Sequence, residues 1–141
     1  MPQDNTSTLH LRQPANARIL KILLVEDSPM NQKLATRLLQ KLGHLVVVAN
    51  NGQAALETIK AQSFDVVFMD IEMPVMGGIA ATAAIRAKEK ITRARIPIVA
   101  LTADGITIDK RFCLQAGMDD YITKPVNLSQ IKEALDRIMI G

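Results

Sequence analysis

Aromatic residues are scarce: the 141-residue chain has no tryptophan, one tyrosine and three phenylalanines. Single strands of nucleic acid are held by stacking bases on aromatic rings beside a basic groove, and no aromatic residue stands near the densest basic stretch of this chain. Neither sign of charge dominates, with 17 Lys and Arg against 14 Asp and Glu for a net of +3. The densest basic stretch, Arg86, Lys88, Lys90, Arg93 and Arg95, encloses Glu89 and reads as a solvated helix end. Direct nucleic-acid binding is not expected. The lone Cys113 excludes an internal disulfide and suits a reducing compartment. With Phe112 and Leu114 beside it, it reads as a packed core residue. No apolar run approaches the roughly 20 residues of a membrane span, and the polar start MPQDNTSTLHLRQPANAR lacks the apolar segment of a secretory signal. A cytoplasmic location is the resulting expectation.

The length suits one domain with a single core. Residues 1–17 carry Pro14 and no apolar periodicity, so they read as a flexible tail or linker, with the folded domain over 18–141. Five short apolar runs then alternate with helical patterns. They are Ile19–Val25, Leu45–Ala49, Asp65–Asp70, Ile96–Leu101 and Asp119–Thr123. Nearly unbroken apolar runs of this length suit strands covered on both faces, as in a parallel sheet. Asp27-Ser28-Pro29 supplies a cap and an early proline for the first helix, where Leu34, Leu38 and Leu42 recur at helical spacing before Gly43 stops it. Asn50-Asn51-Gly52 turns the chain into a second helix marked by Ala54, Ala55, Leu56 and Ile59. Pro74 and Gly77-Gly78 make a loop before an alanine-rich helix to about Lys90. A fourth helix over 106–116 is closed by Gly117, and Asn127 or Ser129 caps a fifth. The pattern predicts an α/β fold, a flavodoxin-like doubly wound (βα)5 with a five-stranded parallel sheet in the order 2-1-3-4-5.

That order places the ends of the first and third strands side by side at the switch point, where ligands bind. Glu26-Asp27 and Asp70 stand there, with Thr102 after the fourth strand and Lys124-Pro125 after the fifth. Singly, each has an ordinary reading: a helix cap, a solvated acid, a strand-end hydroxyl, a turn whose X–Pro bond tolerates cis. Together they describe a crevice for a divalent metal and a phosphoryl group. Three carboxylates without a cation repel one another, and Mg2+ needs only two or three of them because it keeps several waters. Glu26, Asp27 and Asp70 are the metal candidates, with the Glu72 backbone carbonyl in reach. Asp70 is the candidate nucleophile, since carboxylates form aspartyl-phosphate intermediates. Phosphoryl transfer then needs positioning and charge cancellation, for which Lys124, the Thr102 hydroxyl and the Ala103 amide are the candidates. His10 in the tail and His44 in a helix–strand turn read as surface residues without a catalytic partner.

The segments Leu24–Pro29, Met69–Pro74, Ala100–Ala103 and Gly117–Pro125 resemble a response-regulator receiver domain, over about residues 18–140. The resemblance implies Asp70 as phosphoacceptor and Glu26 with Asp27 as the Mg2+-binding acidic pair. It also implies Thr102 and Tyr121 as the switch pair and Lys124 as the phosphate-sensing lysine. It further implies a change at the face of the fourth helix, fifth strand and fifth helix on phosphorylation, which is also the face for a homodimer. Pro29–Lys33 with Gly117–Tyr121 is most similar to the receivers of hybrid sensor histidine kinases, whose partners are a histidine kinase or a histidine phosphotransfer protein. The docking surface would be the exposed side of the first helix with the Lys124-to-Asn127 loop. Two positions depart from the family's habit. Gly77 replaces an acid, which should loosen its loop, and Asp104 replaces the commoner Asn, which adds negative charge near the site.

Three functions therefore compete. The first is a phosphorelay receiver, within a hybrid histidine kinase or as a stand-alone regulator. It would catalyse its own phosphorylation and dephosphorylation without being a conventional enzyme. The second is an aspartyl-phosphate hydrolase, which turns over many substrate molecules. The third is a flavodoxin-like cofactor binder, disfavoured because Glu26-Asp27 would repel a phosphate where such a protein offers a Gly- or Ser/Thr-rich loop.

Overall fold

The computed structural model describes residues 18–73, 76–102 and 110–140. Strands and helices alternate throughout: β1 (Lys21–Val25), α1 (Pro29–Lys41), β2 (Leu45–Ala49), α2 (Gly52–Ala61), β3 (Val66–Asp70), α3 (Gly78–Thr92), β4 (Ile98–Thr102), α4 (Lys110–Gln115), β5 (Asp120–Thr123) and α5 (Leu128–Ile140). The sheet order is β2-β1-β3-β4-β5 and every pairing is parallel, as the sequence predicts. The expected tail over 1–17, the residues Ala103 and Asp104, and the first part of the expected fourth helix lie outside the described residues.

Alternation along each strand divides the core in two. Ile22 and Leu24 of β1 join Val66, Phe68, Val99 and Leu101 beneath α1 and α5. Leu23 and Val25 join Val67, Met69, Ile98 and Ala100 beneath α2 and α3. Both faces of β1, β3 and β4 are thus apolar, which is why these runs are unbroken in the sequence. A side chain the size of Leu24 or Phe68 contributes about 1.5–3 kcal/mol by leaving water, so the central strands dominate the stability.

Local chemistry fixes the helix ends. Ser28 caps α1 by accepting from the Asn31 amide, with Pro29 in the first turn. Asn51 accepts from the Ala54 amide, so Asn50-Asn51-Gly52 is a turn and a cap together, and Gly52 already belongs to α2. Of the two candidates before α5, Asn127 is the cap, accepting from the Gln130 amide. Gly117 follows α4 at φ +104°, in the left-handed region that favours glycine. There its N–H reaches the Leu114 carbonyl while the Met118 N–H reaches that of Cys113. Cys113 is buried in the core, as expected.

Two expectations are overturned. His44 is not a surface residue: it is 3% exposed, because the Gly43 turn folds it back against β1, where Nδ1 accepts from the Leu20 amide at 3.1 Å. Burial pushes its imidazole below the usual 6.5, opposed by Asp65. Nor is Arg86 part of a solvated helix end. Its guanidinium donates to the Gly117 and Ile96 carbonyls and pairs with Glu89 at 2.7 Å and Asp119 at 2.9 Å. Asp119 also takes Arg95 and the Ile98 amide. The charge run therefore ties α3 to the amino ends of β4 and β5, and only Lys88, Lys90 and Arg93 behave as read.

Candidate functional site

At the carboxyl end of β1 the chain continues the ladder for one residue, with the Glu26 N–H donating to the Ala49 carbonyl at 3.0 Å. This pairing holds Glu26 inside the protein, 1% exposed, and sends the next residue, Asp27, outward. Glu26 Oε2 accepts from the Ser28 amide at 3.1 Å, and Gln32 Nε2 donates to the Glu26 carbonyl and to Asn50 Oδ1. The helix cap and the acidic pair are therefore one construction.

Asp70 ends β3 beside Val25-Glu26 and is 2% exposed. Its Oδ1 accepts from the Glu72 amide at 3.1 Å, which directs the carboxylate into the crevice. From β5, one residue past its last strand position, Lys124 Nζ lies 3.2 Å from Asp70 Oδ1 and 3.4 Å from Glu26 Oε1. The Lys124 N–H is fixed to the Thr102 carbonyl at 2.7 Å, so the strand-end hydroxyl and the ammonium arrive together. The Lys124–Pro125 bond is cis.

Electrostatics distinguish the groups. Burial pushes the Asp70 carboxyl up from 3.8 to about 6, Glu26 adds to the rise, and Lys124 opposes both. Burial works against the Lys124 ammonium, but Asp70 and then Glu26 outweigh it and raise its pKa. One half-buried cation thus faces two buried acids, with exposed Asp27 beside them. Oxygen atoms of Glu26, Asp27 and Asp70 lie within 4.8 Å of one another, near the span of about 4.2 Å across an octahedral Mg2+ site. An all-oxygen donor set, excess negative charge and this spacing fit a hard divalent cation.

The crevice gathers Glu26, Asp27, Asp70 and Lys124, with buried Thr102 at its edge on β4. Glu72 stands beside it with its N–H on Asp70. Tyr121 is set apart: it pairs in register with Ala100, two residues before Thr102, and packs half-buried against the core under α2 and α3. It lines a cleft of about 340 Å³ with Glu133 and Arg137 of α5. Ala103 lies outside the described residues. The sequence reading missed Gly78, taken there as loop. Gly78 opens α3 with its N–H on the Ile71 carbonyl, and a Cβ there would overlap the Asp70 carbonyl oxygen. Its place eight residues after Asp70, just before an alanine-rich helix, was the available signal.

Fold and crevice together define a doubly wound α/β protein with an acid–lysine centre at its switch point. Residues 22–136 match the family described as the response regulator receiver domain, and the chain belongs to that family. The sensor protein GacS of Pseudomonas syringae pv. syringae is 42% identical over 123 residues, covering 86% of this chain and 14% of that protein. Hybrid signal transduction histidine kinase I of Dictyostelium discoideum is 40% identical over 121 residues, 82% of this chain and 7% of that protein. The chain thus spans a small fraction of these relatives. Among solved structures, the receiver domain of sensor histidine kinase PA1611 from Pseudomonas aeruginosa PAO1 has magnesium coordinated in its active site cleft. It is similar at a TM-score of 0.78 and 39% identity, over 88% of this chain and 100% of that one. The complex of the Saccharomyces cerevisiae histidine phosphotransfer protein Ypd1 with the receiver domain of Ssk1 is similar at a TM-score of 0.77 and 37% identity, over 83% and 86% of the two chains. No helix among the described residues is long and apolar enough to cross a membrane.

Proposed function

We propose that the chain accepts a phosphoryl group on Asp70 from a phosphorylated histidine in a Mg2+-dependent phosphorelay step. The observation that carries this reading is the Lys124 ammonium placed between Asp70 and Glu26 at 3.2 and 3.4 Å. It puts a fixed positive charge beside the attacking oxygen, where a phosphoryl oxygen gains most from it. Asp70 supplies the nucleophilic oxygen; the P–N bond to the donor imidazole breaks, a P–O bond to Asp70 forms, and the imidazole leaves with the bonding pair. Glu26, Asp27, Asp70 and the Glu72 carbonyl would hold Mg2+, which when bound neutralises charge on the transferred group. Lys124, the Thr102 hydroxyl and the Ala103 amide bind the phosphoryl oxygens. The added phosphoryl oxygens and their negative charge draw the Thr102 hydroxyl toward the phosphoryl group and Tyr121 follows, which changes the α4–β5–α5 face and its fitness for a homodimer.

The donor is a histidine kinase or a histidine phosphotransfer protein. Met30, 80% exposed, and Leu34 on α1, with the loop from Lys124 to Asn127, form the docking surface. The kinship with sensor and hybrid kinases supports a receiver within a cytoplasmic portion of a hybrid histidine kinase, ahead of a stand-alone regulator. The test is intact mass after incubation with Mg2+ and acetyl phosphate. One phosphoryl adduct is expected, lost with chelator and in Asp70→Asn; an adduct that survives in Asp70→Asn refutes the assignment. A labelled phosphotransfer protein should lose its label to this chain only while Asp70 is intact.

A further inference from the structure

At the opposite, amino-terminal edge of the sheet, α2 and α3 meet the segments that lead into β3 and β4. They leave a groove of about 810 Å³. Leu56, Ile59, Phe64, Ile85, Ile96 and Pro97 line it, and all but Ile85 keep part of their surface open. The volume lies within the range of about 300–1,000 Å³ usual for small-molecule sites.

Charge selects the ligand. Both oxygens of Glu89 are taken, Oε1 by Arg86 at 2.7 Å and Oε2 by the Ile96 amide at 2.8 Å. Asp65, at the β3 end of the groove, accepts from the neutral Lys21 amide at 2.7 Å and keeps its charge, and Arg95 is paired with Asp119 at 2.7 Å. Lys60 on α2 and Lys88 on α3, one from each wall, make no hydrogen bond or ion pair among the described residues. Both are exposed. An apolar lining with one uncommitted lysine on each wall complements a molecule with an alkyl chain and a single anionic head. We propose that this groove binds a medium-chain carboxylate, its chain against Leu56, Ile59, Phe64 and Ile96 and its head between Lys60 and Lys88. Site and phosphoacceptor crevice lie at opposite ends of the sheet, so the ligand does not compete with phosphoryl transfer.

The experiment is a titration of the whole 15N-labelled chain with sodium decanoate, read by amide chemical shifts, with propanoate and decyltrimethylammonium as head-only and charge-reversed probes. Saturable shifts centred on the α2 and α3 groove residues are expected for decanoate, with both other probes at least about tenfold weaker. Lys60→Gln with Lys88→Gln should weaken decanoate about tenfold while leaving the melting temperature unchanged. The absence of saturable shifts, equal binding of the cationic probe, or indifference to the double substitution overturns the proposal. Concentration-dependent shifts of the same amides in ligand-free protein would assign the groove to a second copy and also overturn it.

Discussion

Neutralising Asp70 should stabilise the metal-free protein. Asp70→Asn keeps an oxygen for the Glu72 amide and leaves Lys124 its contact with Glu26, so the main change is the loss of one buried charge. A carboxyl raised from 3.8 to about 6 disfavours the folded state at neutral pH, by about 3 kcal/mol at about 1.4 kcal/mol per tenfold. Screening at the mouth of a crevice reduces this to about 1–2 kcal/mol. The sign follows from proton counting. Between 3.8 and about 6 the folded protein binds more protons at Asp70 than the unfolded chain does, so wild-type stability falls as pH rises through that window. The advantage of Asp70→Asn is therefore full above pH 7 and shrinks severalfold by pH 4. Thermal unfolding in chelator at pH 8 should show a melting point about 3–8 °C higher for the variant. Added Mg2+ should raise the wild type more than the variant and narrow the gap. A variant that melts at or below wild type at pH 8 in chelator, or an advantage of equal size at pH 4, refutes the electrostatic reasoning.

Lys124→Met should destabilise the metal-free protein by about 1–3 kcal/mol, since buried Asp70 and Glu26 lose the cation between them; urea unfolding with and without Mg2+ checks it, with partial rescue by the metal expected. Arg86→Ala, which removes ties to Glu89, Ile96, Gly117 and Asp119, should cost about 2–4 kcal/mol, read as a lowered urea midpoint. Gly78→Ala forces a Cβ against the Asp70 carbonyl and should reduce acetyl-phosphate labelling at least about tenfold, measured by intact mass under Mg2+. His44 has its pKa lowered by burial, so the unfolded chain binds more protons below 6.5 and stability is lost as pH falls through that value; His44→Gln should flatten that part of the stability–pH curve.

Much of this was legible in the sequence because the central strands are covered on both faces. Their apolar runs mark the strands, and each polar residue that interrupts a run marks an end, which placed Glu26, Asp70, Thr102 and Lys124 on one edge. What was not legible depends on distances the linear chain hides. His44 reads as a turn residue until the positive φ of Gly43 folds it against Leu20. Arg86 and Asp119 are 33 positions apart, and nothing local distinguishes that arginine from its solvated neighbours. Gly78 looks like half of a flexible pair, because close approach to Asp70 is a property of packing rather than of turn chemistry.

The two ends of the sheet have opposite electrostatic character, and this bears on how the crevice can exist. At the carboxyl edge Glu26 and Asp70 share one lysine with Asp27 beside them, an arrangement that opposes folding until a cation arrives. At the amino edge two acids are paired with arginines, Asp119 with Arg86 and Arg95 and Glu89 with Arg86. The same elements carry both ends, since α3 opens against Asp70 at Gly78 and is pinned by Arg86 two turns later. Through α3 the Arg86 pairs at one edge are thereby joined to the backbone of Asp70 at the other. A crevice that carries about 1–2 kcal/mol of unrelieved charge burial and repulsion responds to the addition of Mg2+ or a phosphoryl group. Loosening the amino edge through Arg86→Ala should therefore weaken Mg2+ binding from a distance, because the acids could then separate without a cation.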